Sequence, residues 1–137
     1  MVGSRRKGRI AALQALYEID CAKHDVVSTL HGLSEEFALP EESTLFAKEL
    51  IDGVLINKNQ IDAIIRKHAP AWPIEQLSII DRNILRLAIF EISIDNRVPT
   101  KAAINEAVEL GKAFGSSNSS KFINGVLGSI SRLQASR

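Results

Sequence analysis

The stretch IEQLSIIDRNILRLAIFEISI, residues 74–94, is apolar around most of a helical circumference and leaves a narrow polar strip that includes Asp81, Arg82 and Arg86. A helix of that kind is stable in water only when other elements cover it on several sides, so it predicts the centre of a core. The rest of the chain supplies covers of the same type. Ile10, Leu13, Leu16 and Tyr17 recur at helical spacing. Residues 26–39 read as a second, weaker helix stopped by Pro40, whose ring disfavours helical geometry in the residue before it. Glu41, Glu42 and Ser43 suit the first turn of a third. Its stripe runs through Leu45, Phe46, Leu50, Ile51, Val54 and Leu55 and resumes after Asn57 at Ile61, Ile64 and Ile65, as one helix or two.

Pro70 and Pro73 make HAPAWPIEQ a boundary, with Trp72 expected to cover the core edge. Pro99 and Thr100 open a helix with an apolar face of Ile104, Ala107, Val108 and Gly111; Lys101, Asn105, Glu109 and Lys112 fall on the opposite side. Gly111 would let a neighbouring backbone approach. The last helix repeats Phe122, Ile123, Val126, Leu127, Ile130 and Leu133. No segment alternates with a period of two. The expected fold is therefore all-α, a compact single-domain bundle of about six or seven helices over residues 1–137.

A chain of 137 residues, 45% of them hydrophobic, has the size of one core. No apolar run approaches the ~18 residues that span a bilayer, and no signal-peptide block follows the N-terminal charges, which predicts a soluble, cytoplasmic protein with no membrane partner. Cys21 is the single cysteine and is expected to be a buried, inert thiol. The net charge of +1 conceals an asymmetry: Arg5, Arg6, Lys7 and Arg9 give the first ten residues +4, and the remaining 127 carry −3. Four cations at a helix N-terminus oppose the macrodipole and gain most when an anion joins them. The basic arm over residues 1–9 thus points to a polyanionic partner.

Chemistry of other kinds finds no support. His24, His31 and His68 lie far apart and form no HExxH pair for a metal. No nucleophile elbow or Cys-plus-His arrangement occurs, so there are no candidate catalytic residues, and no cofactor is implied. GKAFGSS lacks the full phosphate-loop pattern and a preceding strand. KAFGSSNSSKFINGVL, residues 112–127, holds more. Ser116, Ser117, Asn118 or Ser119 could cap the last helix, and Lys121 at the same helix end could meet a phosphate. Phe114 and Phe122 fit either a core or a platform for unpaired bases.

SRRKGRIAALQALYEID, LSIIDRNILRLAIFEI and VPTKAAINEAVELGKAFGSSNSSKFINGVLGSI together resemble the NusB family of bacterial transcription antitermination factors over nearly the whole chain. The resemblance implies an all-helical, non-enzymatic protein. It would bind the boxA element of nascent ribosomal RNA transcripts as a heterodimer with the ribosomal protein NusE, within a complex that lets RNA polymerase pass terminators. Carried over position by position, Arg5, Arg6, Lys7 and Arg9 would meet RNA phosphates, and Lys101, Phe114, Ser116, Asn118, Lys121 and Phe122 would form the second part of the RNA surface. Tyr17, Asp81, Arg82 and Arg86 would face NusE, whereas Asn105, Glu106, Asn124 and Gly125 suit internal packing as well as contact. The family includes monomers and homodimers.

Two departures from the family pattern bear on binding. Ile10 follows Arg9 where a glutamate is common, and Ser116, Ser117 and Asn118 are neutral where Asp or Glu is common. Each missing carboxylate removes repulsion from phosphate, which predicts RNA binding without NusE. The competing readings are the related N-terminal domain of a ribosomal RNA cytosine methyltransferase, which needs a further S-adenosylmethionine domain, and a helical adaptor that binds proteins only.

Overall fold

The computed structural model describes residues 3–22 and 25–135, and among them the chain is helical, without strands. Seven α-helices occur: α1 (Ser4–Ala22), α2 (Val26–Glu36), α3 (Glu41–Ile56), α4 (Lys58–His68), α5 (Ile79–Ile89), α6 (Thr100–Phe114) and α7 (Ser119–Ala135). A 3-10 turn, Ile74–Gln76, precedes α5, and a π-helical turn, Phe90–Asp95, continues it. The all-helical class read from the periodicity is the class found. No helix among the described residues is long and apolar enough to cross a membrane. His24 and the side chain of Leu133 lie outside the described residues.

The chain divides after Ile56 into two compact units. In the first, α1 packs on α3 and α2. Gly8 makes the α1 and α3 approach feasible, since a Cβ there would stand 2.8 Å from Phe46 Cδ2 and 3.0 Å from the Ser43 carbonyl oxygen. Ala12, Leu13, Leu16, Leu50 and Ile51 form the buried centre, each leucine or isoleucine contributing about 1.5–3 kcal/mol on burial. Asp25 caps α2 by accepting from the Ser28 N–H at 3.0 Å.

That helix stops at Glu36, three residues short of the expected limit. Ala38 turns left-handed (φ 48°), its N–H donates to Glu35 O at 3.3 Å and the Leu39 N–H donates to Ser34 O at 3.1 Å. This pattern satisfies the last carbonyls in the manner of a Schellman motif. Residues 41–68 form two helices, α3 and α4, separated at Asn57 (φ −103°, ψ 17°).

In the second unit α5 packs against α4, α6 and α7, and Ile84, Leu85 and Ile89 have no exposed surface. Its polar strip turns inward at Arg86. Arg86 donates from Nε to Asp62 Oδ1 at 2.9 Å and from Nη2 to Asp62 Oδ2 at 3.1 Å, while Nη1 reaches Asn83 Oδ1 at 3.2 Å. Asn83 in turn donates to Ile79 O at 2.8 Å, so the buried charge pair is hydrogen-bonded throughout. His68 Nδ1 and Ser129 Oγ, 2.8 Å apart, join α4 to α7. Burial, and secondly the charge of Lys67, hold His68 below the usual imidazole pKa.

Helix α6 buries Ala103, Ala107, Leu110 and Gly111, with Ile104 and Val108 only half-buried, a face rotated slightly from the expected one. Gly111 faces α7 closely: a Cβ there would lie 3.0 Å from Ile123 Cδ1 and 3.3 Å from the Ser120 backbone nitrogen. Two other expectations are corrected. Trp72 is exposed, because the two prolines hold it on a connection outside the helices, and Cys21 is exposed near the end of α1.

Candidate nucleic-acid interface

Each unit carries one of the two basic clusters. In the first unit the helix begins at Ser4, whose hydroxyl donates to Glu42 Oε1 and whose carbonyl accepts from Ser43 Oγ at 2.8 Å. The start of α3 therefore anchors the start of α1, and the Glu42 carboxylate offsets charge at the anchored end. Phe46, one turn further along α3, lies beneath two guanidinium groups, with Arg5 Cζ 5.1 Å and Arg9 Cζ 5.3 Å from its ring centroid. A cation over an aromatic face gains about 0.5–1 kcal/mol when exposed and about 2 when desolvated, which favours these placements, more for the buried Arg9 than for Arg5.

Arg5 and Arg6 are exposed and Lys7 is half-buried, so three cations follow one another along the first turns of α1. Arg9 departs from the expectation that it meets phosphate. It is 6% exposed, because a residue four positions after Arg5 points the same way and is carried under α3. Arg9 instead helps to build the platform on which Arg5 rests. The roles of Ser4, Glu42 and Phe46 escaped the sequence reading, since nothing in a helical stripe shows which distant aromatic an arginine will cover. Gly8, a glycine within the basic run just before the apolar stripe, is the signal of the close crossing.

In the second unit the α6–α7 connection is a tight polar turn. The Gly115 N–H donates to Gly111 O at 3.0 Å and ends α6. Ser119 Oγ turns inward and accepts from the Ser116 N–H at 2.8 Å; the two serine hydroxyls are 3.2 Å apart. Ser119 is 1% exposed, and a Cβ on Gly115 would overlap it, also coming within 2.8 Å of Gly111 O. The Asn118 carbonyl accepts from the Phe122 N–H at 3.1 Å, which places Asn118 at the cap of α7.

Around this turn Ser116, Ser117, Asn118 and Lys121 are exposed, as is Lys101 near the start of α6. Phe114 is 39% exposed, and Phe122 is half-buried beside the fully buried Ile123. A partly uncovered phenyl ring, a lysine and the free N–H groups of a helix end thus lie on one short segment.

The residues expected to face a protein partner separate. Tyr17 is 38% exposed on α1. Asp81 and Arg82 are half-buried in the first turn of α5, where Ser78 Oγ accepts from the Asp81 N–H at 3.0 Å. Arg86 is corrected: its guanidinium is spent on Asp62 inside the second unit, and the residue is only 6% exposed. Among the described residues no group of His, Cys, Asp and Glu could hold a metal ion.

The NusB family model matches residues 6–132. A transcription antitermination protein NusB of Dehalococcoides mccartyi strain CBDB1 is 53% identical over 135 residues, covering 98% of this chain and 94% of its own length. The structure of T. maritima NusB is similar with a TM-score of 0.87 at 32% identity, over 96% of this chain and 93% of that one. A crystal structure of antitermination factors NusB and NusE in complex with double-stranded RNA contains a chain similar at a TM-score of 0.87 and 28% identity, over 97% and 99% of the two chains.

Proposed function

This chain belongs to the NusB family, and from that premise we propose that it is a cytoplasmic transcription antitermination factor. Its ligand is single-stranded boxA-type RNA of nascent ribosomal transcripts, and NusE is its protein partner in the complex that carries RNA polymerase past terminators. It acts by binding, with no reaction of its own. The observation that carries this reading is the anchored first turn of α1, where Arg5, Arg6 and Lys7 stand in succession beside a helix N-terminus. Cations in succession at a helix N-terminus favour an approaching anion, and a phosphate backbone supplies several.

Lys101, Ser116, Asn118 and Lys121 contribute further phosphate and sugar contacts, with Phe114 and Phe122 offering ring surface to bases. Tyr17, Asp81 and Arg82 form the NusE-facing set, from which Arg86 is withdrawn by its burial. The NusB–NusE neighbour was crystallised with double-stranded RNA, so the strand state needs its own control. Arg5, Arg6 and Lys7 changed together to Ala should weaken binding of a boxA oligonucleotide steeply and flatten its salt dependence by roughly 0.7 per lost phosphate contact. Unchanged affinity would sink the reading in favour of a protein-only adaptor. Equal affinity for a duplex of the same sequence would sink its single-strand part.

A further inference from the structure

The first unit holds a groove of about 210 Å³ that the basic turn alone does not explain. Lys7, Ile10 and Gln14 line one side from α1, and Phe37, Leu39 and Pro40 line the other from the α2–α3 connection. The walls are apolar, with one cation and one amide among them. Phe37 is 53% exposed, so the largest ring of the groove faces water rather than the core. Its position is held at a cost: Ala38 beside it adopts the left-handed region, where a side chain loses about 1–2 kcal/mol relative to the right-handed one. The same left-handed turn that closes α2 thus fixes Phe37 at the rim of the groove.

The occupant is limited by size and charge. A docked protein face buries on the order of 800 Å² per partner, and an amphipathic helix needs several anchor sites along a stripe. This groove accommodates one planar group. Its Lys7 belongs to the same basic turn as Arg5 and Arg6, so an anionic chain lying along that turn would carry its neighbouring group into the groove. Gln14 offers one amide donor and one acceptor a further two turns along α1.

We propose that this groove is a nucleobase pocket, in which an unpaired base of the RNA stacks on Phe37 against Ile10 and Pro40, its phosphate meets Lys7 and Gln14 hydrogen-bonds the base edge. The pocket rests on the RNA reading proposed above and adds to it a residue, Phe37, that selects unstacked bases over a continuous duplex.

The full chain would be titrated with single-stranded boxA oligonucleotides that carry 2-aminopurine at one position at a time. One position should be quenched on binding. Phe37→Ala should remove that quench and weaken binding about tenfold, with the slope of log affinity against log salt unchanged because no phosphate contact is lost. Phe37→Tyr should keep both properties, and Phe37→Leu, which retains apolar bulk without a ring, should behave as Phe37→Ala. Lys7→Ala should instead make the salt slope shallower. The half-exposed site lets these variants fold, and equal melting temperatures would verify it.

Wild-type affinity in Phe37→Ala, or full rescue by Phe37→Leu, would overturn the pocket while leaving the RNA reading intact. So would light scattering in which the RNA-free protein self-associates and Phe37→Ala disperses it, since a second copy would then fill the groove. Failure of the wild-type protein to bind RNA at all would overturn the reading and the pocket together.

Discussion

Arg86 and Asp62 meet through two parallel hydrogen bonds of 2.9 and 3.1 Å with both side chains buried. Removing one partner leaves the other charge desolvated and alone, which costs about 3–5 kcal/mol, whereas replacing both by apolar groups of similar size is often neutral. Asp62→Ala should therefore lower stability by about that amount in urea denaturation. Asp62→Leu with Arg86→Met should recover most of it, and equal stability of the single and double variants would contradict an internal role. Asn118 tests the opposite situation, an exposed polar residue at the cap of α7. Asn118→Asp places a negative charge at the helix N-terminus and should raise stability by ~0.3–1 kcal/mol. The same charge repels phosphate, so RNA affinity should fall while the melting temperature rises; unchanged affinity would place the RNA elsewhere. Arg86 and Arg9 depart from the sequence expectation for one reason. Each looks like surface charge on its own helix, and only a partner far along the chain, Asp62 or Phe46, reveals that it is covered.

At the scale of elements the helical stripes were legible because burial repeats with the helical period, and the α5 stretch, apolar nearly all round, packs against α4, α6 and α7 in its unit. Ends were less so. Pro40 told where α2 could not continue, but the helix had already closed at Ala38, because a left-handed residue can satisfy the last carbonyls wherever the connection needs it. Ala38→Gly removes the left-handed penalty of about 1–2 kcal/mol and returns about 0.5–1 through the freer unfolded chain. A net gain of roughly 0.5–1 kcal/mol in urea denaturation is expected, and a loss would show that Ala38 makes contacts that matter more. The α4–α7 join responds to pH. His68 has its folded pKa depressed by burial and by Lys67, so on acidification the unfolded chain takes the proton first. Stability is therefore full above the unfolded value near 6.5 and declines as pH falls below it. His68→Asn should flatten that decline between pH 5 and 7; an identical pH profile in the variant would remove His68 as its source.

For the molecule as a whole, a net charge of +1 predicts almost no electrostatic attraction to nucleic acid, and the distribution predicts a good deal. Beyond about 10 Å at 0.1 M salt the acidic remainder is screened, so an approaching phosphate responds to the local cluster it meets. Here the sequence was informative because charge asymmetry survives folding: Arg5, Arg6 and Lys101 and Lys121 remain exposed, with Lys7 half-exposed. It was silent on which cations remain available, since Arg9 was counted with the rest and is buried. Arg5, Arg6 and Lys7 meeting three phosphates of a single strand contribute about −2.1 to the slope of log affinity against log salt, and the arm variant lacking them should lose that share. If Arg9 left its place over Phe46 to join them, the arm's share would approach about −2.8 and Phe46→Leu, which frees it, would not change the slope. Buried as it is, Arg9 should be released by Phe46→Leu and steepen the slope by up to about 0.7. Titrations of the wild-type, Phe46→Leu and arm variants over one salt series decide between these outcomes, and a wild-type slope near zero would mean that the basic arm does not meet RNA at all.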